Sequence, residues 1–177
     1  DTFPAVRARA LGAEKDWFGS LRHNCDKLLK DAPGAGDHGD MAAAAAFVGL
    51  VTEDDRHLRL AHNLLAKSVE HYHACHEKNV AVSWYSNSRI NAIAAYDWLF
   101  PHLTARDRQA LGRGLLKHVE DVQPGNNRGR PRPHRRNWSS YTTGFYGTTS
   151  LLWYAGLATA GEGIDDKRAG RFVEEGY

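Results

Sequence analysis

The sequence lacks the features of disulfide-rich and membrane-spanning proteins. Its 177 residues include two cysteines, Cys25 and Cys75, which are too few for a disulfide framework and fit either a reducing or an oxidising compartment. No apolar run approaches the roughly 20 residues that a membrane-spanning helix needs. The longest run of small apolar residues, at 41–51, is short and rich in alanine. We therefore predict no membrane span.

Several standard catalytic and binding motifs are also absent. The sequence has no phosphate-binding glycine loop, no dinucleotide-binding glycine motif after a strand, no H-E-x-x-H and no G-x-S-x-G. The acidic run at 53–55 is typical of a turn rather than of two carboxylates facing across a cleft. The formal net charge of +2 gives no basis for a whole-molecule field, and no known nucleic-acid module is present. We predict neither a cofactor nor a nucleic-acid partner.

The apolar spacing predicts an all-α fold. Apolar residues recur every three or four positions, which indicates about seven helices and no strand. The predicted helices cover residues 4–30, 40–51, 56–77, 84–103, about 104–123, from Ser139 or Ser140 to about 160, and from Asp165 or Asp166 onward.

Short connections make successive helices antiparallel neighbours, as in a bundle, a superhelical solenoid or a closed toroid. No residue-level repeat of the tetratricopeptide or ankyrin kind is present, which favours the toroid. We predict one domain over residues 1–177, made of antiparallel helical hairpins that form part of an (α/α) toroid. The start at Asp1, without a signal segment, and the uncapped last helix at 168–177 indicate a fragment with an incomplete toroid.

A basic segment at 128–146 separates two predicted helices. Its prolines and glycine disfavour a helix, and guanidinium groups suit carboxylate, sulfate or phosphate because they donate paired hydrogen bonds in a plane. The aromatic side chains add flat surfaces for stacking. We predict one wall of a groove for an anionic substrate, and the alternative is a solvated basic loop. The residues that carry this prediction are Arg128, Arg130, Arg132, His134, Arg135, Arg136, Asn137, Trp138, Tyr141, Phe145 and Tyr146.

A second polar and aromatic group opens the predicted helix at 84–103. Tyr85 and Arg89 are four residues apart and share a helix face, flanked by Trp84 and Asn87. This pattern indicates a helix whose N-terminal end lines a cavity. The alternative is ordinary capping by Ser83 or Ser86, with Arg89 paired to Asp97 or another acid and the aromatic rings in the core.

The run H-Y-H-A-C-H at 71–76 contains metal-ligand types. His71 and Cys75 share one helix face, whereas His73 and His76 point in other directions. No second Cys/His pair at finger-like spacing completes a tetrahedral site. We predict no metal.

Two motifs in order resemble a known family. Residues 89–111, with Y-D-W-L at 96–99, resemble a helix–turn–helix of heparinase II/III-like and alginate-lyase-like proteins. Residues 136–152 resemble their helix that begins with N-W after a long loop, and residues 4–9 resemble their opening helix. The resemblance implies a helical toroid of a polysaccharide lyase that acts on uronic-acid sugars by β-elimination, in a periplasmic or secreted protein.

The resemblance also implies roles for particular residues. Asn137 corresponds to the residue that neutralises the uronate carboxylate, with Arg135, Arg136 and His134 assisting and Arg89 reaching the same cavity. The family's base and acid are a tyrosine and a histidine, the tyrosine in a helical segment downstream of the N-W helix. Tyr141 and Tyr146 are the tyrosines available here, and neither lies at that place. The expectation is therefore a lyase-type domain that holds the carboxylate neutraliser, with Tyr141 and Tyr146 as its candidate catalytic tyrosines in place of the family's downstream tyrosine. The alternative is a non-catalytic domain that binds carbohydrate or another polyanion.

Overall fold

The computed structural model describes residues 2–80, 82, 87–122 and 150–177, and for Ser150 only the backbone. Within these ranges every regular element is helical, which confirms the predicted all-α class. None of the described helices is long and apolar enough to cross a membrane. The elements are α1 (Phe3–Leu11), α2 (Lys15–Lys30), α3 (Gly39–Thr52), α4 (Asp55–Glu77), α5 (Asn87–Leu99), a 3-10 turn (Phe100–His102), α6 (Ala105–Asp121), α7 (Ser150–Thr159) and α8 (Asp166–Gly176).

Side-chain caps define the starts of the outer helices. Asp54 is the N-cap of α4, and its side chain accepts a hydrogen bond from the Arg56 amide at 2.9 Å. Thr104 accepts one from the Asp107 amide at 3.1 Å and donates its hydroxyl to Oδ2 of Asp107 at 2.7 Å, so Thr104 is the N-cap of α6. Asp165 caps α8 through the Arg168 amide at 3.2 Å. The connection before α8 turns at Gly161 and Gly163, both with positive φ.

Three predicted boundaries are wrong. The single helix expected at 4–30 is two helices, because the chain turns after Leu11 and the amides of Gly12 and Glu14 both donate to the Arg9 carbonyl. His38, rather than Asp40, occupies the N-cap of α3. The helix expected to reach residue 103 ends at Leu99 and tightens into the 3-10 turn, since Pro101 has no amide hydrogen to continue it. The helix start predicted at Ser139 or Ser140 lies outside the described residues.

The helices form two layers. In the inner layer α3 and α5 run parallel: Asn91 Nδ2 donates to Asp40 Oδ1 at 2.6 Å near their starts, and the rings of Phe47 and Trp98 lie 6.0 Å apart near their ends. Helix α7 packs beside α5 in the same direction.

In the outer layer α4 and α6 also run parallel. The distance from His62 Nε2 to Asp107 Oδ2 is 3.8 Å near their starts, and the distance from His76 Nε2 to Asp121 Oδ1 is 3.8 Å near their ends. Helix α8 packs beside α6 in the same direction, and Arg171 donates to Glu120 Oε1 at 2.5 Å. The two layers run in opposite directions, as antiparallel hairpins require.

Small residues in the inner layer let the helices approach closely. Ala42, Ala45 and Ala46 of α3 are fully buried, and Gly49 packs against Leu58 of α4. Leucines of α4 and α6 and Phe172 of α8 fill the space between the layers. This explains why the alanine-rich run at 41–51 is a core helix.

The antiparallel arrangement brings several helix ends together at one end of the molecule, which we call the upper end. Here α3, α5 and α7 begin, and α4, α6 and α8 end. Helices α4 and α5, on either side of residues 78–86, and helices α6 and α7, on either side of residues 122–149, all meet this end. The short connections at 53–54, 100–104 and 160–165 lie at the opposite end. The hairpin arrangement agrees with the sequence prediction, and closure into a toroid stays a prediction.

We expect Gly39→Ala to destabilise the fold. A Cβ at residue 39 would lie 1.8 Å from the backbone oxygen of Ser88, so α3 and α5 would have to move apart. The expected loss in the free energy of unfolding is about 2–3 kcal/mol, measured by urea denaturation. Gly19→Ala is the control, because nothing lies within 4 Å of a Cβ there. It should raise stability by about 0.5–1 kcal/mol through helix propensity. Equal stabilities of the two variants would contradict the close approach.

Candidate functional site

A cluster of polar side chains lies at the upper end, between the 31–38 loop and helices α4, α5 and α6. We call it the Asp37 cluster; its members are Asp37, Tyr72, Ser88, Arg89 and His118. Asp37 Oδ1 accepts hydrogen bonds from the Tyr72 hydroxyl at 2.7 Å and the Ser88 hydroxyl at 2.6 Å, and a longer one from the Gly39 amide at 3.4 Å. One carboxylate oxygen therefore joins the loop to α4 and α5.

Contacts with α4 hold the loop that carries Asp37. Lys67 Nζ donates to the Pro33 carbonyl at 2.6 Å, and the His38 amide donates to Ser68 Oγ at 2.9 Å. Ser68 in turn donates to the Leu64 carbonyl and is fully buried. Proline and glycine break the helix at 31–36, and these bonds then set the direction in which Asp37 enters the cluster.

Tyr72 is held as a neutral phenol. Its side chain is fully buried, and its ring stacks on His118 with centroids 4.4 Å apart. Burial, and secondarily the charge of Asp37, raises the pKa of Tyr72 well above its usual value, and Arg89 opposes this only in part. The hydroxyl therefore donates to Asp37 at neutral pH and is unsuited to remove a proton from a substrate.

Arg89 lies in the first turn of α5, and its side chain is 1% exposed. Its charge acts on the Tyr72 hydroxyl, which places the guanidinium within electrostatic reach of the cluster. Asp97, the pairing partner considered from the sequence, lies eight residues later, roughly 12 Å further along the helix axis. Asn87, also predicted to contact substrate, is exposed at the start of α5.

The other predicted site residues lie outside the described part of the chain, so their placement stays a prediction. They are Trp84, Tyr85, His134, Arg135, Arg136, Asn137, Trp138, Tyr141 and Tyr146.

The histidine and cysteine side chains at 71–76 on α4 point in different directions. Cys75 Sγ lies 3.4 Å from His71 Nε2, whereas His73 Nε2 lies 3.0 Å from the Gly114 carbonyl and His76 faces Asp121. Burial, and secondarily the charge of Asp37, raises the pKa of the Cys75 thiol, which therefore stays protonated at neutral pH. The divergence of His73 and His76 from the His71–Cys75 pair confirms that part of the sequence analysis. Among the residues that the structure describes, no group of three or more His, Cys, Asp or Glu side chains is arranged to hold a metal.

The sequence analysis missed most of the cluster. Asp37 follows a proline and glycine loop, which was interpreted only as a helix break. Tyr72 lies in the helix predicted at 56–77 and is buried, but nothing in the sequence indicates a partner for its hydroxyl. Ser88 and His118 carried no signal of their own, because their role depends on α4, α5 and α6 meeting at one end.

Comparisons with protein-family models, with curated proteins and with solved structures found no match to this chain. The family resemblance therefore rests on the sequence motifs alone.

Tyr72 and Tyr96 should titrate later than an exposed tyrosine. Burial, and secondarily the charge of Glu162, raises the pKa of Tyr96 to about 12, and the pKa of Tyr72 is raised well above its usual value. A raised folded-state pKa contributes stability below the unfolded pKa of about 10, and this contribution is lost as pH rises above that value. Ultraviolet titration should show late phenols from Tyr72 and Tyr96 among the described tyrosines, and Tyr72→Phe should remove one late phenol.

The matched control for that titration is Tyr154→Phe. The Tyr154 side chain is 40% exposed, so this variant should leave both late phenols in place. Ionisation of Tyr72 together with the exposed tyrosines, in a protein still folded by circular dichroism, would contradict the assigned burial and hydrogen bond.

Proposed function

We propose that the chain is a helical domain of a polysaccharide lyase that acts by β-elimination on uronic-acid-containing polysaccharide. The observation that carries the proposal is a shared end of the molecule. Helix α5, which contains the Y-D-W-L motif, begins at the upper end with Asn87 and Arg89. Helix α6 ends there at Asp121, and α7 begins there. The basic segment at 128–146 is therefore flanked by helices that meet the same end as Arg89.

The direction of the inner helices adds to this support. The N-termini of α3, α5 and α7 all point to the upper end, where their first-turn amides favour negative charge locally, and the C-termini of α4, α6 and α8 at the same end oppose this over longer distances. Arg89 contributes a buried guanidinium at the same end, and the Asp37 cluster fixes the first turn of α5 through Ser88. An acidic sugar chain is the ligand class that this combination favours, with the arginines of the basic segment recruiting it.

The proposed reaction removes the proton on the carbon next to the uronate carboxyl, and the glycosidic oxygen leaves from the neighbouring carbon. The charged carboxylate makes that proton barely acidic, so a donor must neutralise it and stabilise the enolate-like intermediate. In the proposal Asn137 is this donor, assisted by Arg135, Arg136 and His134. Tyr141 and Tyr146 are the candidates for the base. Tyr72 is not a candidate, because its raised pKa keeps it protonated.

The second candidate is a domain that binds acidic polysaccharide without cleaving it. The neutral state of Tyr72 favours it, because the tyrosine of the Asp37 cluster donates a hydrogen bond and cannot serve as a base. The arginine-rich segment and the helix ends would then hold the sugar chain, and no proton transfer would follow.

Ultraviolet absorbance of unsaturated product tests the lyase proposal. Purified protein is incubated with alginate, heparin, heparan sulfate and hyaluronan. We expect absorbance to rise with at least one of them, and Asn137→Ala should lower kcat about 100-fold or more, the magnitude typical of losing a donor to a developing oxyanion.

Asn63→Ala is the control, because Asn63 is exposed on α4, far along the helix from the upper end. It should leave both kcat and KM unchanged. Saturable binding of these polysaccharides without product would favour the binding domain, and unchanged activity in Asn137→Ala would remove that residue from the site. Absence of both binding and turnover would refute both candidates.

A further inference from the structure

A groove of about 380 Å³ lies between α5 and α7 and is lined by described residues of both helices. The aliphatic lining is Ile90, Ile93 and Ala94 on α5 and Leu157 and Ala158 on α7, and Asp97, Trp98 and Tyr154 complete it. Tyr96, the first residue of the Y-D-W-L motif, turns the other way and donates its hydroxyl to the Arg108 carbonyl of α6 at 3.1 Å. Of the four motif residues, Tyr96 and Leu99 are therefore buried in the core, and Asp97 and Trp98 line the groove.

Asp97 is the only charged side chain that lines this groove in the part of the chain that the structure describes. No described residue gives its carboxylate a hydrogen bond or an ion pair. Shielding by the apolar neighbours raises the pKa of Asp97, and no nearby charge offsets this effect. Asp97 is itself exposed, so water solvates the part of its carboxylate that its apolar neighbours do not cover. The groove therefore presents a negative charge that lacks compensation from the described protein.

Two aromatic side chains flank this carboxylate. Trp98 is 39% exposed and Tyr154 is 40% exposed, so both rings keep surface open to the groove. Aromatic faces attract cations through the ring quadrupole, most strongly for tryptophan and for cations that shed water easily. Aliphatic side chains on either side favour a ligand with an apolar body. Carboxylate, aromatic rings and aliphatic walls together complement an organic cation.

We propose that the groove between α5 and α7 binds a small organic ammonium ion, with its charge at Asp97, its alkyl groups against Trp98 and Tyr154, and its apolar body along α5. The volume lies within the range of small-molecule pockets. This site lies on α5 toward its C-terminal end, away from the Asp37 cluster at its N-terminal end. It is independent of the proposed action on acidic polysaccharide, because a groove with a negative charge does not attract a polyanion.

Nuclear magnetic resonance titration with two matched probes tests the site. Choline carries a quaternary ammonium, and 3,3-dimethylbutan-1-ol has the same shape without the charge. We expect choline to shift the resonances of residues in α5 and α7 around the groove, with saturation. The neutral alcohol should bind at least tenfold more weakly, because it makes neither the charge contact nor the cation–π contact.

Substitutions in the groove distinguish the contribution of charge to binding from the contribution of shape. Asp97→Asn should weaken choline binding at least tenfold, which corresponds to about 1.4 kcal/mol, and leave the alcohol unchanged. Trp98→Ala should weaken both probes. Glu175→Gln is the matched control, because it removes one negative charge from an exposed position on α8 and should change neither affinity. Circular dichroism of each variant checks that the helices remain.

The proposal is overturned if choline gives no saturable shifts, if its shifts map away from α5 and α7, or if folded Asp97→Asn binds choline as tightly as the parent. Equal affinity for the alcohol and choline would also overturn it, because the groove would then be merely apolar. A lysine-containing tetrapeptide that bound there more than tenfold tighter than choline would assign the groove to a protein partner instead.

Discussion

The Asp37 carboxylate is the interaction on which the upper end of the molecule depends. One oxygen accepts hydrogen bonds from Tyr72 on α4, from Ser88 on α5 and from the Gly39 amide at the start of α3. These helices belong to both layers, so the carboxylate fixes where the layers end relative to each other. Because the Tyr72 donor is fully buried, losing the acceptor would leave a polar group without compensation, which costs more than one hydrogen bond contributes. The close approach of Gly39 to Ser88 follows from the same arrangement, since the short hydrogen bond to Asp37 brings the start of α5 against the start of α3.

The opposite directions of the two helix layers determine which helix termini lie at the upper end. Every inner helix begins there and every outer helix ends there, so the N-termini of α3, α5 and α7 lie beside the C-termini of α4, α6 and α8. The opposite end carries tight turns closed by Asp54, Thr104 and Asp165, whose side chains satisfy the free amides of the outer helices. A ligand site at the capped end would compete with those caps. At the upper end the start of α5 is instead organised by a carboxylate from a loop, which leaves Asn87 exposed.

Local signals in the sequence predicted the outer helices well and the site poorly. The apolar stripe of α4, the N-cap at Thr104 and the glycine turn at 161–163 all act over a few residues, so they can be read directly. The break between α1 and α2 was missed because α1 is oriented by distant contacts, with Arg7 bonded to the Val51 carbonyl and to Glu53. The Asp37 cluster was missed for the same reason, since Tyr72 and Ser88 lie 35 and 51 residues from Asp37 in the chain. Spacing rules describe one helix face and carry no information on which faces meet.

Helix α5 shows why an inner helix is hard to interpret from its sequence. It packs against α3, α4, α6 and α7, so it has no single apolar stripe with a polar face opposite. Its first turn directs Ser88 and Arg89 into a polar cluster, its middle buries Ala92, Ile93 and Tyr96, and its last turn leaves Asp97 and Trp98 open. From its sequence alone, such a helix resembles an ordinary core helix with scattered polar residues. In the structure, the polar residues at the N-terminal end of α5 and those at its C-terminal end lie in different surroundings. At the N-terminal end Ser88 is hydrogen-bonded to Asp37 within the fold, whereas Asp97 has no such partner among the described residues. That difference in compensation, rather than residue type, distinguishes the polar group that holds α5 in place from the one that is available to a ligand.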